Sequence, residues 1–187
     1  MIALNKIIAA ISFAADRHKN QTRKGIGKVP YINHPIKVAK ILSDSEEDEG
    51  DLLISALLHD VIEDTTKNDE DIIVLSNVIS SKFGDVVLRT VLEVSDTKNL
   101  PVEERKRLQV VHTPGLSDRA KKIKIADKIT NILDIKNDPP EKWSKERKLA
   151  YLDWSKQVVE GARELNKKLD LYFDQVYQDV YIHLKNL

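Results

Sequence analysis

No cysteine occurs among the 187 residues of this chain. That excludes disulfides, thiolate nucleophiles and zinc sites of the cysteine type, and it suits a reducing cytoplasm. Any metal must then be held by His, Asp, Glu or amide side chains. An excess of one charge is missing as well, since 30 basic and 30 acidic residues cancel. The global field therefore gives no reason to expect a nucleic acid or an anionic membrane as the main partner, and any charge argument must be local. The apolar run Ile7–Ala15, IIAAISFAA, is too short to cross a bilayer. Its place after Lys6 has the outline of a weak signal peptide, but it continues without a turn signal into DRHK and reads as an N-terminal core helix from about Leu4 to His18. Strand alternation, internal repeats and low-complexity linkers are absent, as are a Ser/His/Asp triad, a Walker loop and a GxGxxG stretch. The length fits one domain, 1–187, whose core needs no disulfide or metal staple.

What is present is helical periodicity. Asn33 reads as an N-cap with Pro35 in the first turn, followed by Ile36, Val38, Ala39, Ile41 and Leu42. The acidic run DSEEDEGD (44–51) reads as a solvated connection that caps the next helix. Residues 52–64 predict one continuous helix, apolar on nearly all sides at first and therefore enclosed. Two helices separated near Gly84 fill 71–94, and Pro101 opens another, closed by Pro114 and Gly115. Ser117 caps a helix carrying Ile123, Ala126, Ile129, Ile132 and Leu133 at three and four residue spacing. Two amphipathic stretches follow from Ser144, around a break at 161–166. The fold class is an all-α, single-domain helical bundle.

In the segment LLISALLHDVIEDTT (52–66) an enclosed helix suddenly carries His59, Asp60, Glu63 and Asp64. Residues four apart share a helix face, so all four can line one pocket. A buried carboxylate without a partner is too costly to keep ionised, and a cation solves the problem directly. His34 and Asp127, each on an apolar helix, complete a set of two imidazoles and two carboxylates whose charge cancels a divalent ion. Manganese, iron or zinc suits such a nitrogen and oxygen set better than calcium. A lone His-Asp pair is more often a structural couple than a ligand set. The combination with His34 and Asp127 favours the ligand set. His18, His112 and His183 are expected at surfaces or helix ends.

The segments RKGIGKVPYINHP, LLHDVIEDT and KIADKITNILDI strongly resemble the hydrolase domain of the RelA/SpoT family, within the HD phosphohydrolase superfamily, and in particular its small stand-alone members. The resemblance runs from about residue 4 to residue 170 and includes EVSDTKNLPVEERKRLQV and WSKERKLAYLDWSKQVVEGARELN. It implies an HD-type bundle that hydrolyses the 3′-diphosphate of ppGpp or pppGpp to GDP or GTP and pyrophosphate, with one Mn2+ ion. It implies His34, His59, Asp60 and Asp127 as metal ligands, and Glu63 and Asp64 as the pair that handles the water. Arg23 and Lys24 match a basic substrate loop, and Asn131, Arg147 and Tyr151 match substrate-contacting positions. The chain reads VIEDT where relatives often read TVEDT, a change in core packing only.

Elementary chemistry agrees. A divalent ion acidifies water and polarises a phosphoryl oxygen, Glu63 is placed to take a proton, and the acid-free stretch 17–28 can grip phosphate. Within that stretch GIG reads as a flexible turn. Lys98, in the loop after EVSD, is a weaker candidate for the substrate. The expected partner is a small guanine nucleotide, with no nucleic acid and no membrane. Because the chain stops before a synthetase region of larger relatives could begin, synthesis of ppGpp is not expected. The alternatives are removal of the 2′-phosphate of NADPH and a catalytically inactive nucleotide sensor.

Overall fold

A computed structural model describes residues 4–96 and 99–187. In chain order the helices are α1 (Leu4–His18), α2 (Asn33–Asp44), α3 (Gly50–Leu58), α4 (Val61–Thr65), α5 (Asp69–Phe83), α6 (Asp85–Val94), α7 (Val102–His112), α8 (Asp118–Asn137), α9 (Lys145–Glu160) and α10 (Lys167–Lys185), with a short 3-10 turn at Thr113–Gly115. Among the described residues the only β pairing is two isolated bridges, Thr22 with Pro30 and Gly25 with Pro140. The protein is all-α, as its apolar spacing requires.

Two apolar clusters meet at α3. One joins α2, α8, α9 and α10 and contains Leu42, Ile123, Ile129, Leu152 and Phe173. The other joins α1, α4, α5 and α6 and contains Ala10, Val61, Ile79 and Val87. Leu52 and Ala56 of α3 belong to the first cluster, and Ile54, Leu57 and Leu58 to the second. This double burial is why α3 carries no polar face. Helix α8 lies against α2, α3, α6, α9 and α10, so its apolar side is likewise surrounded. The Ser117 hydroxyl accepts from the Ala120 N–H, the cap expected from sequence. No helix of the described residues is long and apolar enough to cross a membrane.

Several local expectations are corrected. The helix expected over 52–64 is split: α3 ends at Leu58, Asp60 adopts φ −96° and ψ −5°, and α4 starts at Val61. The Asp64 N–H still donates to the Asp60 carbonyl at 2.8 Å, so the break is a flattening of one turn. Asn33 is not a cap. Its side chain is outside the capping position, which Ile32 fills in a helical conformation without a side-chain bond. The chain instead winds into α2 through a turn, with Asn33 N–H to Pro30 O at 3.1 Å and His34 N–H to Tyr31 O at 2.9 Å.

The acidic run is not a free solvated connection, and it supplies no side-chain cap to α3. Glu47 pairs with Lys122 of α8 at 2.9 Å and accepts from Asn166 Nδ2 at 2.8 Å. Glu49 pairs with Arg119 and Glu46 with Lys168. These carboxylates latch the α2–α3 connection to α8 and to the start of α10. The GIG turn is also more constrained than expected. A Cβ on Gly25 would fall 2.0 Å from Asp138 Oδ2 and 2.4 Å from the Asp138 carbonyl oxygen, and the Gly27 N–H donates to Asp138 Oδ1 at 2.8 Å. Glycine is there because the loop presses on the end of α8. Ile62, in the VIEDT segment, is buried in the second cluster, so the departure from TVEDT does fall on packing.

Candidate functional site

Three stretches of the fold bring the polar set together. His34 is the second residue of α2, His59 and Asp60 form the α3–α4 junction, and Asp127 lies midway along α8. Because α8 and α2 both pack against α3, these side chains converge. One ligand atom each from His34, His59 and Asp127 lies within 4.8 Å of the others. His34 Nε2 is 3.2 Å from Asp127 Oδ1 and 3.5 Å from Asp60 Oδ2. His59 Nε2 is 3.1 Å from Asp60 Oδ2 and 3.9 Å from Asp127 Oδ1.

Tautomers and orphaned atoms test whether this set fits a cation. His59 Nδ1–H donates to the Ala56 carbonyl at 2.8 Å, which leaves the Nε2 lone pair facing the carboxylates. That Nε2 is buried and has no hydrogen-bond partner. A buried nitrogen lone pair beside two carboxylates fits a positive ion far better than it fits empty space. Both imidazoles are almost fully buried, and two carboxylates balance a divalent charge. Without a cation the carboxylates draw a proton to His59 Nε2 instead: burial lowers the His59 pKa, but Asp60 outweighs it and the group is raised to about 9. Burial dominates at His34 and pushes it down. Burial raises Asp60 and Asp127, yet their cationic neighbours hold both well below the usual carboxylate range, His59 chiefly for Asp60 and Lys128 for Asp127.

Around this set the polar groups orient one another. Asp127 Oδ1 accepts from Asn131 Nδ2 at 2.7 Å, and its Oδ2 accepts from the buried Lys128 Nζ at 3.0 Å. Lys128 also sits 4.5 Å above the Trp154 ring. Arg23 Nη2 donates to Asn131 Oδ1 at 2.6 Å and Arg23 Nε to Asp134 Oδ2 at 2.9 Å. Tyr31 donates its hydroxyl to Asp60 Oδ2 at 2.7 Å and stacks on His18. His18 is therefore at a helix end as expected, but buried rather than at the surface. Glu63 Oε2 accepts from the Asp96 N–H at 2.9 Å, and its Oε1 is 3.8 Å from Arg105 Nη1. Burial, reinforced by the negative charge of Asp60, raises the Glu63 pKa to about 7. That is the range in which a carboxylate is most useful as a proton acceptor at neutral pH.

All of this opens into one cavity of about 630 Å³, large enough for a nucleotide. It is lined by every expected site residue within the described part of the chain: Arg23, Lys24, His34, His59, Asp60, Glu63, Asp64, Asp127, Asn131, Arg147 and Tyr151. Lys98 lies outside the described residues. Arg147 stacks on Trp143, its guanidinium carbon 4.6 Å from the ring centre. Tyr151 sits between Trp143 and Trp154, with ring centres 5.3 and 5.1 Å away, and burial pushes its hydroxyl up to about 12.

Sequence reasoning missed Tyr31, Lys128, Trp143, Trp154 and Arg105. Tyr31 and Lys128 each lie within three residues of a predicted ligand, so their local segments carried a signal. Arg105 had none, because α7 buries no residue and its charged pattern reads as solvent-facing surface.

Comparison with known proteins agrees with the geometry. Residues 10–152 match the family model described as HD domain. The chain is 44% identical over 174 residues to a guanosine-3′,5′-bis(diphosphate) 3′-pyrophosphohydrolase MESH1 of Xenopus tropicalis, covering 92% of this chain and 93% of that one. It is 44% identical over 168 residues to the Homo sapiens protein of the same name, covering 88% and 89%. A solved structure described as a metazoan ortholog of SpoT that hydrolyzes ppGpp superposes with a TM-score of 0.85 at 38% identity, covering 93% and 94%. The HD match and the His34, His59 and Asp127 cluster together point to a divalent-metal site. With ligand-bearing helices, cavity and near full-length similarity in agreement, the chain belongs to the HD-domain family, among the small MESH1-type relatives of SpoT.

Proposed function

We propose that this protein is a metal-dependent hydrolase of the 3′-diphosphate of ppGpp and pppGpp, releasing pyrophosphate and GDP or GTP. The observation that carries the reading is the joint placement of His34, His59, Asp60 and Asp127 with Glu63 on one cavity wall. The near full-length similarity to proteins named for this activity supports it. His34, His59, Asp60 and Asp127 would hold one ion, and Mn2+ suits the mixed imidazole and carboxylate donors. When bound, that ion supplies Lewis-acid polarisation of a phosphoryl oxygen and acidifies water.

The chain's own residues do the rest. Glu63 takes the proton of the attacking water, whose oxygen bonds to the 3′-phosphorus as the bond to the ribose oxygen breaks, and a proton passes to that oxygen so that it leaves as the 3′-hydroxyl. Asp64, on the same cavity wall, assists in orienting that water. Asn131 and Lys128 fix the Asp127 carboxylate, and Tyr31 fixes Asp60. Arg23, Lys24 and Arg147 bring positive charge to the phosphates, and the Trp143 and Tyr151 rings give the nucleoside an apolar wall. Lys98 stays a weaker candidate for the substrate, from its place after EVSD in the sequence. A small guanine nucleotide as the partner and a cytoplasmic location complete the reading. The test is product analysis with purified protein, Mn2+ and the substrates ppGpp, pppGpp and NADPH. Pyrophosphate with GDP from ppGpp supports the proposal. Orthophosphate as its only product, or NADPH as the better substrate, overturns it.

A further inference from the structure

The cavity has more cations than the assigned roles use, and they differ in how many donors remain unspent. Arg23 already donates to Asp134 and Asn131. Lys128 is committed to Asp127 and to the Trp154 ring, and Lys124, buried behind them, donates to the Val94 carbonyl. Arg105 is different. Its closest acid is Glu63, at 3.8 Å, too far for a hydrogen bond. Its Nε is buried with no hydrogen-bond partner among the described residues. A guanidinium held three-quarters out of water with unused donors is costly unless something fills them.

The surroundings show what would fill them. Arg105 lines the cavity from α7, next to the carboxylate proposed to take the proton. The helix that carries it is fixed by its backbone, since the Trp154 indole N–H donates to the Lys106 carbonyl at 3.0 Å. Lys124 lines the same corner and adds charge. Glu63 and Asp96 put negative charge beside Arg105, so a polyanion would be repelled here without a cation. Two adjacent phosphoryl groups require two holds. An ion held by His34, His59, Asp60 and Asp127 would provide one, and Arg105 supplies planar, paired donors for the other.

We infer that Arg105 forms a second phosphoryl subsite, which binds the outer phosphoryl group of the 3′-diphosphate and of the leaving pyrophosphate. This rests on the proposed diphosphate hydrolysis and deepens it. It assigns the outer group to the α7 side of the cavity, leaving Lys24 and Arg147 for the remaining phosphates.

Steady-state hydrolysis of ppGpp, with free Mn2+ held constant, tests it through product inhibition. Arg105→Ala is expected to raise the inhibition constant of inorganic pyrophosphate by at least about tenfold, the loss of one charged hydrogen-bonding group. The inhibition constant of GDP should stay within about twofold. Arg105→Lys should recover part of the pyrophosphate affinity, and Arg107→Ala, whose guanidinium pairs with Glu104 on the outer side of α7, should match wild type. Because α7 buries no residue, these variants keep the fold, which thermal melting checks. Unchanged pyrophosphate inhibition in Arg105→Ala, or an equal loss for GDP, overturns the subsite. If wild type does not cleave ppGpp, calorimetric titration of the manganese-loaded protein with pyrophosphate still decides. A wild-type affinity lost in Arg105→Ala keeps the subsite while the parent activity falls, and equal affinities sink it.

Discussion

Replacing Gly25 by Ala probes how tightly the loop that carries Arg23 is set against the end of α8. The added Cβ would lie 2.0 Å from Asp138 Oδ2 and 2.4 Å from the Asp138 carbonyl oxygen. The carboxylate can swing away, but the carbonyl is held by the end of α8. Reaching a tolerable contact of about 3.0 Å demands a backbone shift of about 0.6 Å. Arg23 stands two residues before Gly25, and its donors reach Asn131 Oδ1 at 2.6 Å and Asp134 Oδ2 at 2.9 Å. A shift of that size weakens both. Charged hydrogen bonds contribute roughly 1.5–3 kcal/mol each, so losing the better part of one lowers kcat/KM for ppGpp by about 10- to 100-fold. Stability should change little, by about 1–2 kcal/mol, because the loop lies outside both apolar clusters. The assay is steady-state kinetics beside a thermal melt, with Gly25→Ala/Asp138→Ala as a second variant. The double variant should remain impaired, since the carbonyl clash persists. Wild-type kcat/KM in Gly25→Ala would refute the argument, as would full rescue by Asp138→Ala.

Other expectations concern the ligands and the base. Asp127→Ala should lose bound manganese, read by metal analysis after dialysis, whereas the exposed Asp118→Ala should retain it; equal metal content would contradict the ligand assignment. Glu63→Gln should lower kcat by roughly 10² while metal and nucleotide still bind, and wild-type turnover would move proton transfer elsewhere. Glu63 is raised from 4.5 to about 7, so the folded chain keeps a proton that the unfolded chain releases across that window. In chelator-treated protein, stability from Glu63 is full below about pH 4.5 and is lost as pH rises through about 7. Glu63→Gln should therefore melt closer to wild type at pH 4.5 and above it at pH 8, and a pH-independent difference would rule out the burial argument.

The helices were legible in the sequence because apolar spacing repeats at three and four residues wherever a helix meets one of the two clusters. The polar cluster was legible for the same reason inverted: His59, Asp60 and Asp127 interrupt patterns that should have stayed apolar. The break at Asp60 was not legible, since its backbone keeps the hydrogen bond to Asp64 that a continuous helix would make. Nor was the role of the acidic run, whose partners Lys122, Asn166 and Lys168 lie some 75 to 122 residues away in the chain. Periodicity reports on one element at a time. Arg105 and Trp154 belong to the site only through the packing of α7 against α9, and no single-segment pattern encodes that.

The latch between the acidic run and the start of α10 also bears on how the chain is made. Residues 33–64 carry three of the proposed ligands and leave the ribosome early, but the Asn166 amide that grips the Ser45 carbonyl and Glu47 emerges long after them. Synthesis proceeds N-terminus first at about 5–20 residues per second, so the α2–α3 connection waits several seconds for its last tether. Its other tethers, Arg119 and Lys122 of α8, emerge partway through that interval. A nascent chain stalled before Asn166 would present the ligand helices with their hinge unfastened, and metal capture would become a late event in the birth of this protein.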